Sequence, residues 1–397
     1  MCEPVQRPAR RQTGRSAILK RVCKLQEEEE PKPSLGPRSA EDPTCNSRAE
    51  PDDESDGHRM SFVIVAYNSR ETIAECIASV LGQTTAPLEV IVVDNASVDG
   101  TLEFVKSEFP GTICISNEHN LGYGAANNIG AGTAHGELVA FVNPDVALEP
   151  SWSAEILNAL RDDRRCAAAE GKLLLADKPG FINCGGSSIN VLGFGCMTHY
   201  NEPAEAASEG KLVGYASGAA FAIRRNVFLR LGGFDGSYFL YHEDVDLGLR
   251  VHGAGWKIRY EPKAVAHHHY KSVLSASKVR FLERNRWKTL AKNMPQRYLV
   301  VCGPLLVVSE LGLIYNLATL GLFHSKARAT LDFLCGLSDT MRARKSVRNL
   351  TAERRSLMEL LTDEFPQILP PKSRSTHLGR RLVRAYYTAF FRGGAKN

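Results

Sequence analysis

No Cys-x-x-Cys pair occurs among the ten cysteines of this 397-residue chain, which stand at positions 2, 23, 45, 76, 114, 166, 184, 196, 302 and 335. That absence removes zinc-ribbon and thioredoxin chemistry. The first residues lack an apolar h-region, so no secretory signal is expected there. Scattered thiols fit a reducing compartment, and a cytosol-facing protein is expected. Cys76, Cys114 and Cys166 lie among apolar residues and read as small hydrophobes. A large charge excess is missing as well: the net charge of +5 does not call for nucleic acid as a partner. The basic residues are unevenly placed, with 15 Lys and Arg against 6 Asp and Glu from residue 324 to the end.

Residues 1–58 open with seven basic side chains between Arg7 and Lys24, then an acidic run at Glu27–Glu30 and a Pro/Ser/Asp stretch. That composition predicts a disordered leader. Order is expected from Ser61. The blocks SFVIVA (61–66), LEVIVV (88–93), residues 112–116 and LVAFV (138–142) read as strands, the most apolar of them buried on both faces. Helical spacing over 71–81, 102–109, 125–134 and 152–160 alternates with them, which predicts a parallel sheet covered on both sides. Residues 180–215, rich in Gly, Asn and Ser, predict an irregular or antiparallel insertion. Further helices are expected at 226–231, 244–252 and 277–293, with a strand in 215–223 and short strands at 257–260 and 265–267.

The block 298–323 holds one charge, Glu310, in 26 residues. It is long enough to cross a bilayer, but Glu310, Asn316, Ser309 and Pro304 are costly in hydrocarbon. An interfacial helix or a re-entrant hairpin accommodates them better, and a buried core helix is the third reading. The basic residues that follow favour contact with an anionic membrane surface.

Polar clusters fall where strands run out, the place where parallel sheets bind ligands. They are Tyr67 and Asn68, then Asp94 to Thr101, then Asn117 to Asn128, and Asn143-Pro144-Asp145. Asp94 is placed to meet a ribose or base, Asp99 either to bind or to cap the next helix, and Asp145 to ligate a hard cation beside a diphosphate. Gly122-Tyr123-Gly124-Ala125-Ala126-Asn127 lacks the third glycine of a dinucleotide fingerprint and follows the third strand, which excludes a dehydrogenase. Three carboxylates crowd into Glu243-Asp244-Val245-Asp246. Asp246 can pair with Arg250 one turn on, which leaves Glu243 and Asp244 either to complement the helix N-terminus or to act as a general base. His267-His268-His269 alternate sides of a strand, so at most two face one site.

These motifs, in this order, resemble glycosyltransferase family 2, in particular its rhamnosyltransferase-like branch. The resemblance rests on VIVAYN (63–68), VDNASVDGT (93–101), NLGYGAANN (120–128), FVNPDV (141–146), SGAAFAIRR (217–225), GGFDGSYFLYHEDVDLGLR (232–250) and HHHYKS (267–272), and on the 281–295 stretch. It implies an α/β Rossmann-like mixed sheet of the A-type glycosyltransferase fold over 59–295. Membrane-associated helices (296–345) and a basic tail (346–397) are expected to follow. It further implies a nucleotide-sugar site of Tyr67, Asn68, Asp94, Asn95, Asp99, Asn127, Asn143 and Asp145, with Asn143 in place of the first acid of the metal motif. A divalent cation, Mg or Mn, is implied on Asp145 and His267, with Asp244, helped by Glu243, as the base of a single inverting displacement. The implied partners are a nucleotide diphosphate sugar, rhamnose among the candidates, a glycan or lipid-linked acceptor, and the cytoplasmic face of a membrane. A polyprenyl-phosphate sugar transferase and a non-catalytic nucleotide-sugar-binding homologue are the alternatives. A nucleotidyltransferase is disfavoured because Tyr67-Asn68-Ser69 stands where a Gly-rich triphosphate loop is needed.

Overall fold

The computed structural model describes residues 59–271, 273–350, 356–365 and 374–391; the expected leader and parts of the basic tail lie outside them. The chain opens with β1 (Met60–Ala66), α1 (Ile73–Leu81), β2 (Glu89–Asp94), α2 (Thr101–Glu108), β3 (Ile113–Ser116), α3 (Tyr123–Thr133) and β4 (Leu138–Val142). Strand β1 pairs in parallel with both β2 and β4, and β2 with β3. Its composition follows from this central place. Phe62, Ile64 and Ala66 enter one buried cluster with α1, while Val63 enters another with α3. A strand covered on both faces has no polar side, hence a continuous apolar run rather than an alternating one. Helix α3 sits so close to β1 that a Cβ on Gly130 would lie 2.4 Å from Val63 Cγ1.

Next come β5 (Val146–Leu148), α4 (Trp152–Asp162), β6 (Cys166–Leu175), β7 (Ile182–Cys184), β8 (Ser187–Asn190), β9 (Gly195–Met197), β10 (Lys211–Leu212) and β11 (Ala220–Arg224). After them follow α5 (Arg225–Arg230), α6 (Glu243–Gly253) and β12 (Lys257–His268). The main sheet runs β10-β12-β6-β11-β4-β1-β2-β3, with β5 on β12 and β7 on β6. Strand β11 is antiparallel to both neighbours, so its first residue lies beside the carboxyl end of β4 (Ala220 opposite Val142). The sheet is therefore mixed, and chain order switches between β1 and β4, which opens a crevice at that edge.

Three expectations change in detail. Strand β6, CAAAEGKLLL, is absent from the sequence reading, because its three alanines and a central Glu lack the β-branched signature of a strand. The two short strands at 257–260 and 265–267 are one strand, β12, with register shifts near Lys257 and between Glu261 and Val265. Helix α7 (Ala276–Asn293) continues after Pro295 into α8 (Gln296–Thr319), α9 (Phe323–Cys335) and α10 (Leu337–Leu350). What was expected as a plain tail includes β13 (Leu361–Thr362), paired with β8, and α11 (Arg374–Phe390), whose Val383 is buried against α8.

Helix α8 is the one described helix long and apolar enough to cross a membrane. It does not stand free. Tyr298, Cys302, Leu305, Leu306 and Leu317 pack inward, and Tyr298 Oη donates to the Val191 carbonyl at 2.7 Å. Glu310 reaches the buried Arg286 of α7 and Lys326 of α9, and both cations also bond Glu283. This four-charge knot ties the middle of the helix to the domain.

Candidate functional site

All four parallel strand ends of the first half open onto one edge, and there the loops are laced to one another. Asn95 Oδ1 accepts from Asn117 Nδ2 (3.0 Å) and the Leu121 amide (3.1 Å), while its Nδ2 donates to Asn120 Oδ1 (2.8 Å). Asn68, in the left-handed region at φ 51°, takes the Val98 N–H on Oδ1 (2.9 Å) and gives its own N–H to Ser97 Oγ (2.9 Å). Asp99 accepts from the Thr101 N–H and hydroxyl and the Arg70 N–H, so it ties the entry of α2 to the loop after β1. Asn127 is buried in α3 and donates to Tyr123 O within its own helix (3.0 Å). Tyr67 is half exposed, and Asp94, whose Oδ2 accepts from Ser97 N–H (3.1 Å), keeps a buried Oδ1 with no partner.

Asp145 lies on the turn after β4, and its backbone carbonyl accepts from the His269 N–H at 3.0 Å. The register of β12 on β5 sets His268 opposite Val146 and turns its ring toward Asp145, with Nε2 3.5 Å from Oδ1. His267 instead meets Glu149 (3.1 Å), and His269 meets Glu75 (3.1 Å). Thus the imidazole facing Asp145 is one residue later than the resemblance implied. His268 Nδ1 lies 2.9 Å from Asn183 Oδ1, which holds the ring with Nε2 toward Asp145. Asp145 Oδ1 is itself buried without a hydrogen-bond partner. An imidazole fixed through its second nitrogen beside a carboxylate is a common metal-site arrangement. Among the described residues no third His, Cys, Asp or Glu completes a cage. A hard divalent cation that keeps water and diphosphate oxygens as its other ligands fits such a sparse set.

The acidic pair lies on the same edge. Gly218, in the segment leading into β11, donates its N–H to Asp244 Oδ2 (3.2 Å), and the Val245 N–H meets Oδ1 (2.8 Å). The adjacent Ala219 carbonyl accepts the Asn143 N–H at 2.8 Å. Asp244 and the Asn143-Pro144-Asp145 turn are therefore joined through one short backbone segment. Asp246 is not part of the site: Arg250 (2.9 Å) and Lys292 (2.7 Å) neutralise it in the interior. Burial raises the pKa of both Glu243 and Asp244, and the charge of Asp244 raises that of Glu243 further. Glu243 Oε2 has no partner, whereas Asp244 has two N–H donors. Of the two, Asp244 is the better placed to hold negative charge.

Several residues that shape this site escaped the sequence reading. Tyr241 and His242, at φ 70° and 71°, and Phe239, at φ 63°, hold left-handed backbone ahead of α6. Such conformations persist only where the surroundings enforce them. Asn285 does so by donating to the carbonyls of Tyr238, Leu240 and Tyr241 at 2.8–3.0 Å. Gly122 belongs to the same turn, since a Cβ there would lie 2.2 Å from Phe239 O. Glu170, buried in β6, accepts from the Ser217 N–H and Ser187 Oγ (both 2.8 Å), and burial pushes it up to about 7. The amides of Ser217 and Gly218 thus hold two carboxylates, Glu170 and Asp244, on consecutive residues. The lone acid in CAAAEGKLLL was the available signal.

Residues 61–232 match the profile of the family described as Glycosyl transferase family 2. The chain is 32% identical over 237 residues to the N-acetylglucosaminyl-diphospho-decaprenol L-rhamnosyltransferase of Mycobacterium tuberculosis, covering 53% of this chain and 76% of that one. It is 27% identical over 253 residues to the O-antigen biosynthesis protein RfbC of Myxococcus xanthus, covering 60% of this chain and 19% of the relative. Among solved structures, the crystal structure of GalNAc-T7 with UDP, GalNAc and Mn2+ matches at a TM-score of 0.56 and 17% identity, over 77% of this chain and 57% of that one. The last likeness is one of fold, the A-type glycosyltransferase fold.

Proposed function

The chain belongs to glycosyl transferase family 2 and is a glycosyltransferase, and from that premise we propose that it is an inverting enzyme of polysaccharide assembly. In this reading it moves a sugar, rhamnose among the candidates, from a nucleotide diphosphate to a hydroxyl of a glycan or lipid-linked acceptor. The observation that carries the proposal is the single edge at which Asp94, Asp145, His268 and Asp244 open, the last three linked through the Asn143–Ala219 and Gly218–Asp244 hydrogen bonds.

Asp94, with its unpartnered Oδ1, takes a donor hydrogen from the ribose or base, and Tyr67 covers the nucleotide. Asp145 and His268 would hold a divalent cation, which supplies positive charge against the leaving diphosphate. Asp244 accepts the proton of the acceptor hydroxyl as that oxygen bonds to the anomeric carbon and the bond to the diphosphate oxygen breaks. One displacement from the face opposite the leaving group inverts the configuration. Of the acidic pair, Asp244 carries the local charge. The Gly218 N–H fixes the carboxylate and lowers its basicity only in part, so it remains competent near neutral pH.

Membrane contact is part of the proposal. Helix α8 turns Leu299, Val300, Val307, Leu311 and Tyr315 outward, and with Glu310 knotted to the domain it lies in the interface at the cytoplasmic face rather than across the bilayer. Thermal-shift titration with dTDP-, UDP- and GDP-sugars, with and without manganese, tests the donor half. Stabilisation that needs both nucleotide sugar and metal is expected, and nucleotide-sugar binding indifferent to metal and to Asp145→Asn would overturn the cation assignment.

A further inference from the structure

Helices α7, α8 and α11 enclose a groove of about 280 Å3. Leu192, Val279, Leu305, Leu313, Leu382 and Val383 supply most of its wall. Its polar members are already engaged. Ser309 Oγ donates to Leu306 O, Asn316 Nδ2 donates to Gly312 O, and Glu283 and Glu310 face Arg286 and Lys326. With these side chains engaged, the groove offers chiefly hydrocarbon contact.

Its position relative to the site gives that contact a meaning. Leu274, at one end, follows His268 by six residues and so lies within roughly 20 Å of it along the chain. Val279, on the wall, follows Lys278, whose Nζ sits 5.5 Å from the Tyr241 ring and 5.7 Å from the Tyr270 ring. Among the described residues no carboxylate pairs with Lys278, and burial lowers its proton affinity. Tyr241 in turn precedes Asp244 by three residues. The buried cluster that includes Val245, next to Asp244, also includes Leu305 and Val383 of the groove. The chain thus brings together the Asp244 carboxylate, the Lys278 cation beside the Tyr241 ring, and the trough lined by the next residue, Val279. The trough is continuous with the exposed apolar face of α8 and with Leu378 on its rim.

We propose that the groove holds the hydrocarbon chain of the acceptor, a lipid phosphate or diphosphate whose attached sugar is glycosylated, with Lys278 against its phosphate. This rests on the transferase reading above and adds to it the place where the acceptor's tail is held. The combination of carboxylate, cation and apolar trough matches such an amphiphile, and the open end on α8 lets the chain enter from a membrane without leaving hydrocarbon.

Two glycines allow a clean test. Gly312 and Gly379 line the groove, and a Cβ at either meets nothing within 4 Å. Leucine there favours the helix over glycine, so Gly312→Leu and Gly379→Leu fill the trough without threatening the fold. KM and kcat are measured for two acceptors with the same sugar-diphosphate head, one on a long prenyl chain and one on a short water-soluble chain. In parallel, calorimetry follows binding of decyl phosphate and of decanol to each protein. The expected result is a KM for the long-chain acceptor raised by about tenfold or more, as lost methylene contacts in an apolar pocket do. The short-chain KM should change far less, and decyl phosphate affinity should fall in parallel. Lys278→Met should abolish the preference for decyl phosphate over decanol. Equal KM values for both acceptors in the unsubstituted enzyme would overturn the groove while leaving the transferase intact. So would unchanged decyl phosphate binding in both leucine variants, or complete displacement of decyl phosphate by a neutral phospholipid. Because the calorimetry needs no turnover, a failure of the transferase reading shows up separately, as absent transfer beside intact tail binding.

Discussion

The sheet half and the C-terminal helices differ in how much charge they bury. In β1, β2 and β4 nearly every inward residue is apolar, and the polar groups collect at the strand ends, where Asn68, Asn95 and Asp99 bond one another's loops. In α7 to α9 the interior holds Glu283, Arg286 and Lys326, each no more than 4% exposed, while Val300 and Leu311 stand 79% and 65% exposed. Such a stripe marks an interaction face, and the ion pairs of Glu310 with Arg286 and Lys326 hold the helix that carries it against the domain. The first interior is closed by apolar packing and the second by ion pairs beneath an open apolar stripe.

The comparison breaks first at the acidic pair. Asp244→Asn keeps the size and the Gly218 contact but cannot take a proton, so transfer should fall by about 10²–10⁴-fold. Donor affinity, measured by calorimetry, should stay within a few-fold. Retained turnover would remove Asp244 as the base. Next, Arg286→Met leaves Glu283 and Glu310 short of a cation and should cost about 3–5 kcal/mol in thermal or urea unfolding. Asn95→Ala in the sheet half should cost less, about 1–3 kcal/mol, because only neutral partners are stranded. Equal costs would mean the two interiors are not different in kind.

A smaller effect sharpens the metal side. Asn183→Ala frees the His268 ring, so the manganese concentration for half-maximal donor binding should rise about 10–100-fold; His267→Ala should leave it near the starting value. On the outer face, Val307→Glu with Leu311→Glu should weaken flotation with anionic vesicles by about tenfold, the equivalent of one large apolar side chain withdrawn from hydrocarbon. Thermal stability should be unchanged.

The smallest effect is in pH. Glu170 holds its proton up to about 7 in the folded chain, above its ordinary 4.5. The native state then binds more protons than the unfolded one between those values, and this contribution to stability is lost as pH rises through that window. Glu170→Gln should flatten the melting temperature between pH 5 and 8. An unchanged slope would mean that Glu170 ionises normally and does not hold a proton behind the base.

Much of the first half was legible before any coordinates. The apolar runs of β1, β2 and β4 and the polar residues that end them follow from burial on both faces, and the pairing of Asp246 with Arg250 follows from helical spacing. Strand β6 was not legible, because alanines become a strand only between neighbours that need small residues. Nor did the 281–295 stretch announce that Asn285 and Arg286 serve partners elsewhere in the chain, at Tyr241 and Glu310.

By itself, then, the sequence determined the order of elements and which residue types gather at the strand ends, since local apolar periodicity and turn chemistry act over a few residues. Tertiary structure decided which of three adjacent histidines faces Asp145. Side chains on a strand alternate with a period of two, and the irregular register of β12 between Glu261 and Val265, together with its pairing on β5, sets the phase. One residue of slip would turn His267 inward instead, and nothing in the run of three imidazoles fixes that choice.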